Sequence, residues 1–146
     1  MAKSYKGRFT PKNPKKYKGD PTTIIYRSLW ERRFMVFCDE TDTVLEWSSE
    51  EVIVPYYNPL DQRQHRYFID FWVKTLERDG KVTCKLVEIK PYKQTQVPTK
   101  PKRQTPRYLK EVETYIINKQ KWEAASSYAA AKNWKFVVLT ENDLFK

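Results

Sequence analysis

Arg66-Tyr67-Phe68-Ile69-Asp70-Phe71-Trp72-Val73 and, further along, Lys85-Leu86-Val87-Glu88-Ile89-Lys90 decide how this chain is read. Both runs are mainly apolar or aromatic, and Asp70, Glu88 and Lys90 sit inside them, where a charge needs a partner or a use. Between the runs, Glu77 to Lys81 contains Asp79-Gly80, a strong hairpin turn signal. The segments 66–74 and 82–90 are therefore expected to be antiparallel neighbours. Alternation puts Phe68, Asp70 and Trp72 on one face of the first strand, and Leu86, Glu88 and Lys90 on one face of the second. Strands of comparable length folding back from one turn bring Glu88 and Lys90 about level with Asp70.

Two carboxylates and a lysine so placed suit phosphodiester hydrolysis. Clustered carboxylates holding Mg²⁺ provide an activated water and neutralise charge on the attacked phosphate. Mg²⁺ keeps several waters, so Asp70, Glu88, the carbonyl of Ile89 and a phosphate oxygen suffice to place it, and Mn²⁺ suits the same oxygen donors. Lys90, on the same strand face as Glu88, is suited to positioning the water and offsetting phosphate charge.

Composition agrees with such a substrate. The 146 residues carry a formal charge of +10, which draws polyanions. Double-stranded DNA is expected ahead of an anionic membrane surface. No apolar run approaches 18 residues and no secretory signal pattern is present, so a cytosolic protein is expected, with no membrane partner. Cys38, Cys84 and the only histidine, His65, make no convincing zinc set. Reduced, partly buried thiols are expected.

Upstream, residues 1–21 hold Lys3, Lys6, Arg8, Lys12, Lys15, Lys16 and Lys18 against the single acid Asp20, with Pro11, Pro14 and Pro21 breaking any helix. They read as a basic, flexible DNA-binding arm, with Tyr5, Phe9 and Tyr17 available to stack on bases. Residues 22–146 read as one domain. Leu29, Trp30, Phe34, Met35 (or Phe37) and Cys38 recur at helical spacing over 26–39, and Ser28 is placed to cap the start. Glu31 falls at the edge of that stripe, where pairing with an arginine and projection into a site both remain open. Val44–Trp47 and Glu51–Pro55 read as a hairpin or adjacent strands, and 56–64 as a loop.

Downstream, 91–107 has four prolines and Lys93, Lys100, Lys102, Arg103 and Arg107 with no acid, an extended basic loop suited to straddling a phosphate backbone. From Tyr108 to Lys132, Leu109, Val112, Tyr115, Ile116, Trp122, Ala125 and Ala129 share a face. One long helix or two joined near Asn118 fit, with Asn133 closing it. Lys121 and Asn118 are candidates for DNA contact from this helix. Phe136–Leu139 suits a buried strand parallel to its neighbour. His65 reads as structural.

Ile69-Asp70 followed by Glu88-Ile89-Lys90 resembles the PD-(D/E)XK nuclease superfamily, with Ile69 where that superfamily often has proline. Longer stretches resemble the head completion nuclease family of contractile-tailed bacteriophages: Gly7-Arg-Phe-Thr-Pro-Lys-Asn-Pro-Lys-Lys-Tyr-Lys-Gly-Asp20, Tyr26-Arg-Ser-Leu-Trp-Glu31-Arg-Arg-Phe-Met35, Glu46-Trp-Ser-Ser-Glu50, His65-Arg-Tyr-Phe-Ile-Asp70-Phe71 and Asn118-Lys-Gln-Lys-Trp122-Glu-Ala-Ala125. The order of a helical Glu, an Asp, a Glu-x-Lys and a later helix is also similar to the endonuclease subunit of heteromeric transposases. These resemblances imply a restriction-endonuclease-like α/β core, a mixed sheet whose antiparallel hairpin carries the site, and Glu31 assisting metal binding and catalysis from the first helix. They also imply action on DNA before tail attachment, in the host cytoplasm or the virion, beside portal or head proteins. A catalytically silent DNA-binding head protein and a head-to-tail adaptor are the alternatives, and the intact triad argues against the second.

Overall fold

The structure, a computed structural model, describes residues 5–145. In chain order these form β1 (Gly7–Arg8), β2 (Ile25–Tyr26), α1 (Leu29–Glu40), β3 (Val44–Ser49), β4 (Ile53–Asn58), β5 (Arg63–Phe68), β6 (Phe71–Leu76), β7 (Val82–Ile89), α2 (Pro106–Ala131), β8 (Lys135–Leu139) and α3 (Glu141–Leu144), with 3-10 turns at Pro14–Lys16 and Tyr92–Thr95. The central sheet has the order β3-β6-β7-β8. Its first three strands are antiparallel, and β8 joins β7 in parallel, as expected after a crossover helix, but it is a half-buried edge strand and not the buried one expected.

Alternation along β6 and β7 feeds two layers. Phe71, Val73, Val87 and Ile89 share a buried cluster with Phe34, Met35 and Cys38 of α1. Trp72 and Leu86, between them in sequence, share another with Ala125 and Ala129 of α2. The hairpin is the expected one: Gly80 takes φ +84°, a conformation that costs glycine little, and Lys81 N donates to Asp79 Oδ1 at 2.9 Å. Register from Leu76 opposite Val82 to Phe71 opposite Val87 carries Asp70 level with Glu88.

The first strand differs from expectation. A single strand over 66–74 is replaced by β5 and β6, broken at Ile69-Asp70. Ile69 N donates to Val52 O rather than continuing the central ladder, so β5 leaves to pair with β4 in a separate two-stranded sheet. Phe68 consequently loses the shared face with Trp72 and is exposed while Trp72 is buried. The same break corrects the neighbouring expectations. β3 pairs with β6 and not with β4, and 56–64 is strand at both ends with only Pro59–Gln62 as its turn.

Residues 5–21 are not a free arm. Phe9 and Tyr17 are buried against Trp47, at ring centroid distances of 5.8 and 4.8 Å. The backbone amides of Lys12 and Asn13 both donate to the buried Asp39 carboxylate, at 2.8 and 2.9 Å. Two aromatics that find a core stabilise this segment more than chain entropy opposes it, despite its lysines and prolines. Of its three aromatics only Tyr5 remains exposed; residues 1–4 lie outside the described residues.

The two long helices start where the sequence places them, but the face of α2 is buried only in part: Ala125 and Ala129 are in the core with Trp122 packed on it, whereas Leu109 is exposed and Ile117 takes the place expected of Ile116. Ser28 Oγ accepts from Glu31 N at 3.2 Å and starts α1. Ser28→Ala should cost about 1 kcal/mol, read as a lower denaturant midpoint with unchanged slope. Met35 is the buried choice on α1, whereas Phe37 and Leu29 are exposed. α2 is one unbroken helix of 26 residues, starting at Pro106, so the basic loop ends at Thr105. Asn133 follows it at φ +59°. Both cysteines are free thiols, and burial pushes the Cys38 thiol up. Among the described residues no helix is long and apolar enough to cross a membrane.

Candidate active site

Where β5 peels away, β7 loses a ladder partner, and the vacancy is filled by a side chain: Ile89 N donates to Asp70 Oδ2 at 2.8 Å. The strand break is thus what aims Asp70 at the end of β7. Glu88, on the α2 side of the same strand and 5% exposed, accepts from the Tyr67 hydroxyl at Oε1, and its Oε2 lies 3.4 Å from Lys90 Nζ. The structure therefore brings Asp70, Glu88 and Lys90 together, as the turn-centred register predicts.

Two neighbouring carboxylates, Glu88 buried and Asp70 partly so, disfavour joint ionisation. Asp70 is pushed well above the ordinary carboxylate range, first by burial and then by the Glu88 charge, against the opposing pull of the Ile89 amide and Lys90. Tyr67 is raised far above its ordinary value by burial and by Glu88, so it remains a donor. Lys121, half-buried on α2, has its ammonium 5.7 Å from the Tyr56 ring and 5.4 Å from the Tyr67 ring, and burial holds its pKa below the ordinary lysine value. Asn118, one turn earlier, is buried with its Nδ2 unpartnered.

Glu31 stands at the edge of this group, tied to the start of α1. Its Oε1 accepts from Arg27 N at 3.3 Å and its Oε2 lies 3.5 Å from Ser28 Oγ, so the carboxyl serves the start of α1. Burial raises its pKa, with Glu50 and Glu88 adding to the rise, so it borders the site electrostatically. Glu50 itself is held by Arg27, Nε to Oε1 at 3.1 Å and Nη2 to Oε2 at 3.2 Å. Among the described residues no three acidic, histidine or cysteine side chains converge as a metal cage. A pair of neighbouring carboxylates suits Mg²⁺, which is commonly held by one or two carboxylates together with waters and substrate phosphate.

The basic candidates divide. Lys16 Nζ is spent on the carbonyls of Asp39 and Thr41, at 3.1 and 2.8 Å, closing the end of α1. Lys12 Nζ lies 3.2 Å from Glu40, and Lys18 Nζ stands 4.8 Å from the Trp72 ring centre. Lys15, Lys93, Lys100, Lys102 and Arg103 are exposed. His65 pairs with Asp61 at 2.6 Å and stacks on Tyr56, a structural placement away from Asp70. Tyr67 is the site residue that sequence reasoning missed; its one available signal was its place three residues before Asp70, obscured by the unforeseen strand break.

Residues 41–141 match the family model described as the TnsA-like endonuclease N terminal. The chain is 39% identical over 145 residues to the head completion nuclease of Enterobacteria phage T4, covering 97% of this chain and 94% of that protein. No solved structure matches. The matched region spans β3 to the start of α3 and includes Asp70, Glu88 and Lys90, and the mixed sheet with its antiparallel β6–β7 hairpin agrees with a restriction-endonuclease-like core. The chain belongs to the family of TnsA-like endonucleases.

Proposed function

We propose that this protein is a Mg²⁺-dependent DNA endonuclease acting in phage head completion, with the Asp70–Glu88 pair as its metal site. The observation that carries the reading is Asp70 held by the Ile89 amide beside a buried Glu88 whose other neighbours are Tyr67 and Lys90. Family membership supports DNA cleavage, and the phage relative's name supports the place in assembly. Asp70, Glu88 and the Ile89 carbonyl would hold the cation, which when bound supplies Lewis-acid stabilisation of the phosphate and a more acidic water. Mn²⁺ would occupy the same oxygens.

The chain's own groups do the rest. Tyr67 fixes the Glu88 carboxylate by donating to Oε1 and leaves Oε2 facing Lys90. Lys90, shared between Glu88 and solvent, orients the attacking water and offsets phosphate charge as the bond to the leaving 3' oxygen breaks. The exposed Lys93, Lys100, Lys102 and Arg103 beyond β7, with Lys15 and Lys18 on the amino-terminal segment, hold the DNA backbone, and Lys121 faces the site from α2. Glu31 adds negative charge from the start of α1. The working place is the host cytoplasm or the particle itself, next to portal or head proteins.

The test is supercoiled plasmid incubated with wild type and Lys90→Ala, in Mg²⁺, in Mn²⁺ and in chelator. Nicking or linearisation with either cation, lost in chelator and reduced at least about 10²-fold in the variant, is the expected result. Cleavage that persists in chelator would sink the metal reading. Tyr67→Phe should leave the fold intact and raise the Mg²⁺ concentration for half-maximal cleavage by roughly 10-fold, the range seen when a partner behind a metal ligand is lost. An unchanged Mg²⁺ requirement would remove Tyr67 from the site.

A further inference from the structure

The β4–β5 ribbon has an outer face that none of the described residues covers. Its inner residues Val54, Tyr56 and Tyr67 are buried, in the cluster that includes Ala125 and Ala129 of α2. Outside, the cross-strand pairs are Ile53 with Phe68, Pro55 with Arg66 and Tyr57 with Gln64, and all six residues are exposed. The Arg66 guanidinium lies 5.5 Å from the Phe68 ring centre. Arg66 has no carboxylate within ion-pair distance among the described residues; Arg63, exposed at the tip of the ribbon opposite Asn58, acts on Asp61 only at longer range, since that carboxylate is occupied by His65.

We propose that this outer face is a DNA-docking surface that sets duplex DNA in register with the cleavage site. It rests on the endonuclease reading above and names a second contact for the same substrate. Three features favour nucleic acid over a protein partner. Arg66 on this face, without a carboxylate and beside exposed aromatic rings, with the exposed Arg63 at the tip of the ribbon, suits phosphates and base or sugar edges. A two-stranded antiparallel ribbon is of a width that the major groove admits. The ribbon also runs directly into the site, with only Ile69 between Phe68 and Asp70, so DNA held on it is fixed relative to the scissile phosphate. Six residues per strand reach roughly 20 Å, a little over half a helical turn of about 35 Å from the cut.

The test uses the full chain in chelator, where binding is read apart from cleavage: fluorescence anisotropy with a labelled duplex of about 30 base pairs over a range of salt. Arg63→Gln/Arg66→Gln is compared with wild type and with Lys81→Gln/Lys135→Gln, an equal charge loss at the far end of the β6–β7 hairpin; thermal unfolding checks each fold. The ribbon variant should bind about 10-fold more weakly, with the slope of log affinity against log salt lower by about two, and the control should change much less. Unchanged affinity and slope in the ribbon variant, an equal loss in the control, or no binding by wild type overturns the proposal. Of these, the first assigns the face to a protein partner. Failure here with intact plasmid cleavage leaves the endonuclease reading standing, and the reverse pattern removes that reading and leaves the face as a DNA contact without a cleavage site to set in register.

Discussion

Asp70→Asn is expected to abolish cleavage while making the metal-free protein more stable at neutral pH. Loss of one of two carboxylates that hold the cation should cost several kcal/mol of transition-state stabilisation, about 10³-fold in rate. Stability moves the other way. Asp70 is raised in the folded state by burial and by Glu88. A carboxyl raised in this way gives stability that is fully present below its unfolded pKa and is lost as pH rises through the higher folded value. At neutral pH its ionisation therefore opposes folding, whereas asparagine still accepts the Ile89 amide and carries no charge. The gain should be of order 1 kcal/mol, about 2–4 °C in unfolding midpoint for a chain of this length, and should vanish toward pH 4. Thermal scans of both proteins in chelator from pH 4 to 8 measure it. A variant less stable than wild type at pH 7.5 would mean that the Asp70 charge is structural.

Trp47→Ala should have the largest effect on folding, about 3–5 kcal/mol. Trp47 is fully buried and touches Phe9, Tyr17 and Phe71, at ring distances of 5.8, 4.8 and 6.4 Å. It is the residue through which the amino-terminal segment grips the sheet, so its removal should also release residues 5–21. Denaturant unfolding gives the first number. Limited proteolysis gives the second, as rapid cleavage near Lys12 to Lys18 in the variant and slow cleavage in wild type. A loss below about 1 kcal/mol would show that this segment contributes little to the core.

Which parts of this molecule are legible in its sequence follows from how local their causes are. The Asp79-Gly80 turn, the Ser28 cap and the parallel pairing of β8 are read from residues within a few positions of one another, and the structure agrees with each; the α2 stripe is legible only toward its carboxyl end, at Trp122, Ala125 and Ala129, because Leu109 is exposed and Ile117 packs on the core in place of Ile116. The meeting of Asp70, Glu88 and Lys90 follows from the turn and the register. The break at Ile69-Asp70 has no local signal: Arg66 to Val73 is continuous good strand sequence, and the chain parts there because Ile69 N finds Val52 O across the fold. Tyr67 was missed for the same reason, since only the split strand turns its hydroxyl toward Glu88. The amino-terminal segment misled because charge and proline describe its solvent side, whereas Phe9 and Tyr17 decide its place. Glu31 shows the opposite limit: its position at the stripe edge left pairing with an arginine and projection into a site both open, and in the structure its carboxyl accepts from Arg27 N while it feels the Glu88 charge.

The account stands on Asp70 and Glu88 sharing a cation. Crystals soaked in Mn²⁺ and recorded at a wavelength that excites its anomalous scattering test this directly. The account predicts one strong peak at coordination distance, roughly 2.1 Å, from a carboxylate oxygen of Asp70 and one of Glu88. A peak elsewhere with none between these two residues, at saturating Mn²⁺, would contradict it.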